Sequence, residues 1–330
     1  MKSGRKTPRL IPFWLENLFS VVTLISLSTI FAGSVLEWRY QNSLLETLKV
    51  AEPLPQALAH DPFSVIHLEA RSAIVIDATT GTKIFGQNEQ AQLPLASLTK
   101  LMTALIASET VPDFTTITVS VTSSEQDGKL RAGERWRLKD LIDYTLISSS
   151  NYGADSIASV IGAIQSGQSN TEGSGNKYTA TFITTMNAAA ARLGLNQTYF
   201  LNGTGLDIDT QTGGAYGSAE DIAKLFAYIL KNNPRLVEDT KYPVKSFKSL
   251  DNHTVEAINT DIIINKIPGL LASKTGFTDL AGGNLAIAFD ASVGEPFIVV
   301  VLGSTQSGRF EDTQKLLAAT IEYLGTRYGN

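Results

Sequence analysis

Pro94-Leu-Ala-Ser-Leu-Thr-Lys-Leu-Met-Thr-Ala-Leu-Ile106 is a loop that runs into an apolar helical pattern, and the rest of the chain is best understood outward from it. A serine and a lysine three apart on a helix share one face, which sets Lys100 beside Ser97. A helix start leaves backbone N–H groups free and favours negative charge. A weak hydroxyl nucleophile thus gains a nearby base without any histidine. Spacing alone does not decide the matter, because Ser3–Lys6 and Ser174–Lys177 repeat it. The first pair lies in a basic tail and the second in a Gly/Ser/Asn-rich loop. Only Ser97 leads into a strong helix, and acyl chemistry is expected there.

Around this stretch, Ala73-Ile-Val-Ile-Asp77 and Thr82-Lys-Ile-Phe85 flank Ala78-Thr-Thr-Gly81, which predicts a β-hairpin. The Ser97 helix is expected to run to about Ser108, and Thr115–Val121 reads as a strand. Leu138 to about Ile164 reads as two helical stretches broken at Ser148-Ser-Ser-Asn151. Gln165–Asn176 is a polar loop. Ala180–Leu193 is an Ala-rich helix ended by Gly194, and Ala219–Leu230 is another with Ser218 as its N-cap. Leu285–Asp290 and Pro296–Leu302 are apolar runs of strand length, and Thr313–Leu324 is a closing helix. Strands at both ends with helices between them predict one sheet built from distant segments, with a helical region inserted.

The 330 residues are 43% hydrophobic and 18% charged, which is ordinary globular composition and allows a sizeable core. A net charge of −5 without a long basic run argues against a nucleic-acid binder. The absence of cysteine excludes disulfides and thiolate metal sites. No metal-ligand spacing is present, and no cofactor is expected. The three histidines, His60, His67 and His253, fall in a stalk, at a domain edge and in a polar loop, so a Ser-His-Asp triad is not expected.

At the N-terminus, Lys2, Arg5, Lys6 and Arg9 precede an uncharged run from Leu18 to Leu36. Its 19 residues come close to the ~20 that cross a bilayer as a helix, and the basic flank predicts a cytoplasmic N-terminus. A cleaved signal peptide ending near Ala32-Gly33-Ser34 is the rival reading. The expected organisation is a basic tail over 1–17, a single-pass membrane anchor over 18–36, a stalk over 37–67 and a catalytic domain over 68–330. Either export reading puts the catalytic domain outside the cytoplasmic membrane, facing the periplasm or the extracellular space.

Three further signals join Ser97 and Lys100. In Leu146-Ile-Ser-Ser-Ser-Asn-Tyr-Gly-Ala-Asp155, three serines and an asparagine interrupt an apolar helical pattern. Such residues favour local backbone bonding over helix, so a turn here presents Ser149 and Asn151 outward; the simpler alternative is an N-cap for the next helix. In Ala272-Ser-Lys-Thr-Gly-Phe-Thr278, Lys274 and Thr275 offer a cation and a hydroxyl to a carboxylate, and Gly276 removes a side chain where a substrate backbone approaches. Arg309, just after an apolar strand in Gly303-Ser-Thr-Gln-Ser-Gly-Arg-Phe310, is either a bidentate carboxylate ligand or a solvated loop arginine.

The order Ser-x-x-Lys, Ser-x-Asn, Lys-Thr-Gly is that of penicillin-binding proteins and active-site serine β-lactamases. With Arg131-Ala-Gly-Glu-Arg-Trp-Arg-Leu-Lys-Asp-Leu141, Asn202-Gly-Thr-Gly-Leu206, Ser273-Lys-Thr-Gly-Phe-Thr-Asp279 and Gly308-Arg-Phe-Glu-Asp312, roughly Ala70–Leu324 resembles the D-alanyl-D-alanine carboxypeptidase family, the low-molecular-mass penicillin-binding proteins. The resemblance implies an α/β (α+β) transpeptidase-like fold, an antiparallel sheet flanked by helices. It implies peptidoglycan stem peptides ending in D-Ala-D-Ala as substrate and β-lactams as inhibitors. By the same resemblance, Ser97 is the acylated nucleophile and Lys100 its base, kept neutral by the positive charge of Lys274 and by burial. Ser149 relays the proton, and Asn151 holds Lys100 and the substrate amide. Lys274 and Thr275 bind the terminal carboxylate, and the N–H groups of Ser97 and Phe277 form the oxyanion hole.

The chain also departs from the family. It is expected to end with the catalytic domain, without the C-terminal β-rich domain and amphipathic tail of many members, and the Gln165–Asn176 loop looks long. Ser150 stands where a glycine is common, a feature also of the endopeptidase members, so carboxypeptidase and endopeptidase remain open. A class A-type β-lactamase would need a deacylating glutamate, for which Glu172 is a poor candidate. A penicillin sensor would need a cytoplasmic output that the short N-terminal tail does not supply.

Overall fold

The computed structural model describes residues 24–26, 28–29, 31–43, 61–120, 129–168, 175–291 and 294–328. The chain divides into two compact units, Met1–His60 and Asp61–Asn330. In the first, helix α1 is described at residues 24–26, 28–29 and 31–43. Among the described residues no helix is long and apolar enough to cross a membrane. The basic tail expected over 1–17, much of the run expected to span a bilayer and most of the stalk lie outside the described residues.

In the second unit, β1 (Ser72–Asp77) and β2 (Lys83–Gln87) form the expected hairpin, followed by β3 (Leu93–Pro94). A single 3-10 turn, Ala96–Leu98, leads into α2 (Thr99–Thr110). β4 (Thr116–Thr118) and β5 (Arg135–Arg137) make a small ribbon before α3 (Leu138–Ser148), α4 (Asn151–Gln165) and α5 (Thr179–Arg192). Two short strands, β6 (Tyr199–Phe200) and β7 (Ala215–Gly217), precede α6 (Ala219–Asn232), which Ser218 caps as expected by accepting the Asp221 N–H at 3.1 Å. A second hairpin, β8 (Val244–Lys248) and β9 (Thr254–Ile258), was not foreseen in the sequence. The chain closes with β10 (Leu270–Thr278), β11 (Gly282–Asp290), β12 (Pro296–Ser304) and α7 (Gly308–Tyr328).

The main sheet is antiparallel in the order β10-β11-β12-β1-β2, so Ser72 opposes Leu302 and the first hairpin sits beside the last strand. Its central strands are covered on both faces, which is why they read as unbroken apolar runs rather than alternating ones. Ala73, Val75, Leu285, Ile287, Phe289, Val299 and Val301 face Leu316 and Leu317 of α7. Ile74, Ile76, Ala286, Ala288, Ile298, Val300 and Leu302 face the larger core, built with α2 and the inserted helices. This unit opens at Asp61 rather than Leu68: Phe63 is buried and stacks on Phe85 with ring centroids 5.2 Å apart.

Candidate active site

Ser97 lies in the 3-10 turn that feeds α2, and the backbone there is held against its own preference. Ala96 has φ of 47°, a left-handed conformation that an alanine adopts only when its surroundings impose it. Its carbonyl accepts the Thr99 hydroxyl at 2.7 Å and presses on Gly205, where a Cβ would come within 1.9 Å of that oxygen. Gly205 itself has φ of 81°. Asn202 shapes this loop, its Oδ1 accepting the N–H groups of Thr204 and Gly205 at 3.2 and 2.7 Å. Asn202-Gly-Thr-Gly is therefore the bed on which the Ser97 turn rests.

Lys100, the second residue of α2, is fully buried. Its Nζ lies 2.8 Å from Ser97 Oγ, 2.8 Å from Asn151 Oδ1 and 2.9 Å from the Thr204 carbonyl. A neutral amine in this place can give two protons to Asn151 and Thr204 and turn its lone pair to the Ser97 hydroxyl, the arrangement a general base needs. The Thr204 carbonyl was invisible in the sequence because a backbone acceptor has no residue signature.

Ser149 ends α3 with φ of 61°, and Asn151 begins α4. Between them Ser150 Oγ accepts the Gly153 N–H at 3.0 Å, so the N-cap reading is right for this serine. Its neighbours serve the site instead: Asn151 reaches Lys100, and Ser149 Oγ accepts from Lys274 Nζ at 2.9 Å. One helix break thus delivers two polar side chains to the cleft and satisfies its own backbone with the third.

Lys274, Thr275, Gly276 and Phe277 lie on β10, the edge of the main sheet. Lys274 is buried and also donates to the Thr275 carbonyl at 2.9 Å. The Thr275 hydroxyl meets that of Thr260. Gly276 faces the nucleophile: a Cβ there would lie 3.0 Å from the Leu95 carbonyl oxygen and 3.1 Å from Ser97 N. The missing side chain lets the strand approach the Ser97 N–H, and Phe277 follows, 41% exposed at the rim. Asp207 fastens the end of this strand, accepting the Thr278 hydroxyl at 2.9 Å and the Leu280 N–H at 3.2 Å.

Arg309 departs from the expectation of a loop residue. It sits in the first turn of α7, 7% exposed, with Nη1 donating to the Gly276 carbonyl at 2.7 Å. The helix begins early because the Thr305 hydroxyl accepts the Gly308 N–H at 2.9 Å. The guanidinium therefore braces β10; Ser97, Lys100 and Asn151 are joined directly, Ser149 and Lys274 bond to each other, Gly276 abuts Ser97 N, and Thr275 and Phe277 flank it on the same strand. Asn284, which carried no signal in the sequence, is a second brace. Wholly buried on β11, it donates to the Pro94 carbonyl at 3.0 Å and accepts the Gly303 N–H at 2.8 Å. Glu172 lies outside the described residues, and His253 Nδ1 is 2.8 Å from Glu134 Oε1 at the β8–β9 turn.

The site concentrates positive charge. Burial, then the neighbouring Lys100 and Arg309, push Lys274 well below the ordinary lysine range, opposed by Asp261. Burial also lowers Arg309, again opposed by Asp261. Such a pocket is short of an anion, the role a substrate carboxylate can take.

Residues 56–306 match the family described as D-alanyl-D-alanine carboxypeptidase. The chain is 28% identical over 275 residues to a D-alanyl-D-alanine endopeptidase of Pseudomonas aeruginosa, covering 81% of this chain and 79% of that one. It is 30% identical over 286 residues to the D-alanyl-D-alanine carboxypeptidase DacD of Salmonella typhimurium, covering 80% and 67%. Among solved structures it is similar to penicillin-binding protein D2 of Listeria monocytogenes in its ampicillin-bound form, with a TM-score of 0.64 and 26% identity over 77% of this chain and 98% of that one. The sheet and flanking helices are those of the penicillin-binding, transpeptidase-like fold.

Proposed function

The chain belongs to the D-alanyl-D-alanine carboxypeptidase family of serine peptidases, and from this premise we propose that it releases the terminal D-alanine of peptidoglycan stem peptides through an acyl-enzyme on Ser97. The observation that carries the reading is Lys100 Nζ at 2.8 Å from Ser97 Oγ, with Asn151 and the Thr204 carbonyl fixing the amine. Lys100 takes the hydroxyl proton as Ser97 Oγ bonds to the carbonyl carbon of the penultimate D-alanine. The N–H groups of Ser97 and Phe277 stabilise the oxyanion, a contribution of about 3–4 kcal/mol per donor in serine hydrolases. Ser149, which accepts from Lys274, passes the proton to the departing D-alanine nitrogen as the C–N bond breaks. Lys274 and Thr275 hold the terminal carboxylate, and Arg309 acts through the Gly276 carbonyl rather than by direct contact. Water then attacks the ester and returns the proton to the serine.

A β-lactam presents a carboxylate and a strained amide to the same groups, and the ampicillin- and cefotaxime-bound forms of the Listeria protein support binding in this cleft. The endopeptidase reading is favoured by one further observation, that relatives in both Pseudomonas aeruginosa and Escherichia coli carry that name. An extracytoplasmic location follows from the substrate; an anchor through residues 18–36 rests on the basic flank and uncharged run of the sequence.

The test incubates the full chain, with Ser97→Ala as control, with a diacyl-Lys-D-Ala-D-Ala peptide, measuring free D-alanine and intact mass after penicillin. Release of D-alanine and a stable adduct, both lost in the variant, are expected. An adduct without D-alanine release would favour the endopeptidase. A folded protein with neither adduct nor penicillin turnover would remove Ser97 as nucleophile.

A further inference from the structure

Thr260 is a polar residue at the cleft that the mechanism above does not use. Its hydroxyl is hydrogen-bonded to that of Thr275, and among the described residues neither hydroxyl bonds anything else. Thr275 is buried and Thr260 half-buried. The segment that carries Thr260 follows β9 and is held from three sides. Asn259 N–H donates to the Pro243 carbonyl at 2.8 Å, and its Nδ2 to the Thr240 and Tyr242 carbonyls at 2.8 and 3.1 Å. Thr240 Oγ1 in turn accepts the Ser273 N–H of β10 at 3.0 Å. The Thr260 N–H donates to the Ile147 carbonyl of α3 at 3.4 Å, two residues before Ser149. Thr260 therefore links the helix end that bears Ser149 to the strand that bears Lys274 and Thr275.

A hydroxyl carries one proton and can also accept. When two hydroxyls bond to each other, one proton lies between them and the other is free. If Thr275 donates, its proton is engaged by Thr260. If Thr260 donates, Thr275 Oγ1 is satisfied as an acceptor and its own proton is free for a ligand. Lys274 Nζ donates to Ser149 Oγ and to the Thr275 carbonyl at 2.9 Å each, which sets its charge beside the same residue. An ionised carboxylate accepts and cannot donate, so its arrival at Thr275 selects the second arrangement. A donor behind a hydroxyl also polarises it and strengthens the bond it gives.

We propose that Thr260 is a positioning residue for carboxylate recognition: its hydroxyl donates to Thr275 Oγ1 and so turns the Thr275 proton toward the substrate carboxylate. Preference for a free carboxylate then depends on a side chain outside the three motifs, supplied by the segment that joins β9 to β10. Replacing Thr260 by valine keeps its shape and deletes the hydroxyl, leaving Thr275 Oγ1 without a donor.

This inference rests on the proposed reading of the site, and its test separates the two. The full chain is acylated with benzylpenicillin and with benzylpenicillin methyl ester, which lacks the carboxylate charge. Second-order rates are followed by intact mass, with melting temperature as the folding control, for wild type, Thr260→Val, Thr260→Ala and Thr260→Ser. Wild type is expected to favour the free acid. Valine and alanine should each lower the rate with the acid by about tenfold, the effect of weakening one charge-assisted hydrogen bond, and leave the rate with the ester within about twofold. Serine, which restores the hydroxyl, should keep the wild-type preference. An equal loss with acid and ester would make Thr260 merely structural and overturn the proposal. A wild-type preference in the valine and alanine variants, a serine variant as impaired as valine, or failure of both valine and alanine variants to fold would overturn it equally. A wild type acylated by neither compound would instead refute the Ser97 reading, and one that does not distinguish them would refute the carboxylate role of Lys274 and Thr275.

Discussion

Replacing Gly276 by alanine tests the geometry of the oxyanion hole most directly. The added methyl would lie 3.0 Å from the Leu95 oxygen, 3.1 Å from Ser97 N and 3.2 Å from Ala96 Cβ. Comfortable separations are about 3.5 Å or more, so the two segments must part by about 0.5 Å. The nucleophile side resists, because the Leu95 N–H bonds the Ala215 carbonyl at 2.9 Å, Thr99 grips the Ala96 carbonyl at 2.7 Å, and Asn284 holds Pro94 at 3.0 Å. The strand moves instead, and with it Phe277 N–H. Complete loss of one donor lowers turnover about 10²–10³-fold; a displacement of this size is expected to slow acylation by about tenfold to a hundredfold, or roughly 1.4–2.7 kcal/mol. The assay is the second-order rate of penicillin acylation, with melting temperature as the folding control. Acylation within about threefold of wild type in a Gly276→Ala protein of unchanged melting temperature would refute the claim that the strand's approach sets the oxyanion hole.

Two further expectations concern stability. Burial pushes Asp143 up to about 7, against the pull of Lys139. The native state then keeps a proton that the unfolded chain releases near 3.8, so this residue's contribution declines as pH rises between those values. Asp143→Asn removes the decline, and its stability advantage over wild type should widen between pH 5 and pH 8 by as much as about 3 kcal/mol; a gap independent of pH in thermal melts would contradict it. Ser150→Ala deletes the N-cap of α4 and should cost about 1 kcal/mol in denaturant unfolding, whereas Ser150→Gly should cost only a few tenths; equal losses would mean the cap is not what Ser150 contributes.

Much of this was legible in the chain because the relevant features are local. The break at Ser148–Asn151, the Ser218 cap and the apolar runs of β11 and β12 each follow from neighbouring residues, and each is where the spacing puts it. The candidate catalytic groups were readable because three short motifs occur together in one order. What escaped was set by distance. β8 alternates poorly, with Lys245 packed over Phe247, and becomes a hairpin through its pairing with β9, from Val244 opposite Ile258 to Lys248 opposite Thr254. Arg309 looks like a loop residue until the Thr305 cap starts the helix beneath it. Asn284 gives no sign at all: its importance lies in joining the Pro94 carbonyl to the Gly303 N–H, backbone groups of segments on which its own neighbours carry no information.

The position of the first hairpin beside the last strand governs when this protein first becomes reactive. A ribosome completes the nucleophile and its helix long before it makes the strand carrying Lys274, and β12, on which β1 must lie, is later still. Pairings this remote are slow to form, since loop closure must precede any reward. Throughout synthesis Ser97 thus lacks the strand that carries Lys274, Thr275 and Gly276, and under the proposed reading an incomplete chain has no complete site. Under the proposed reading, the strand order ties a complete site to the final segments, the same ones that finish the core.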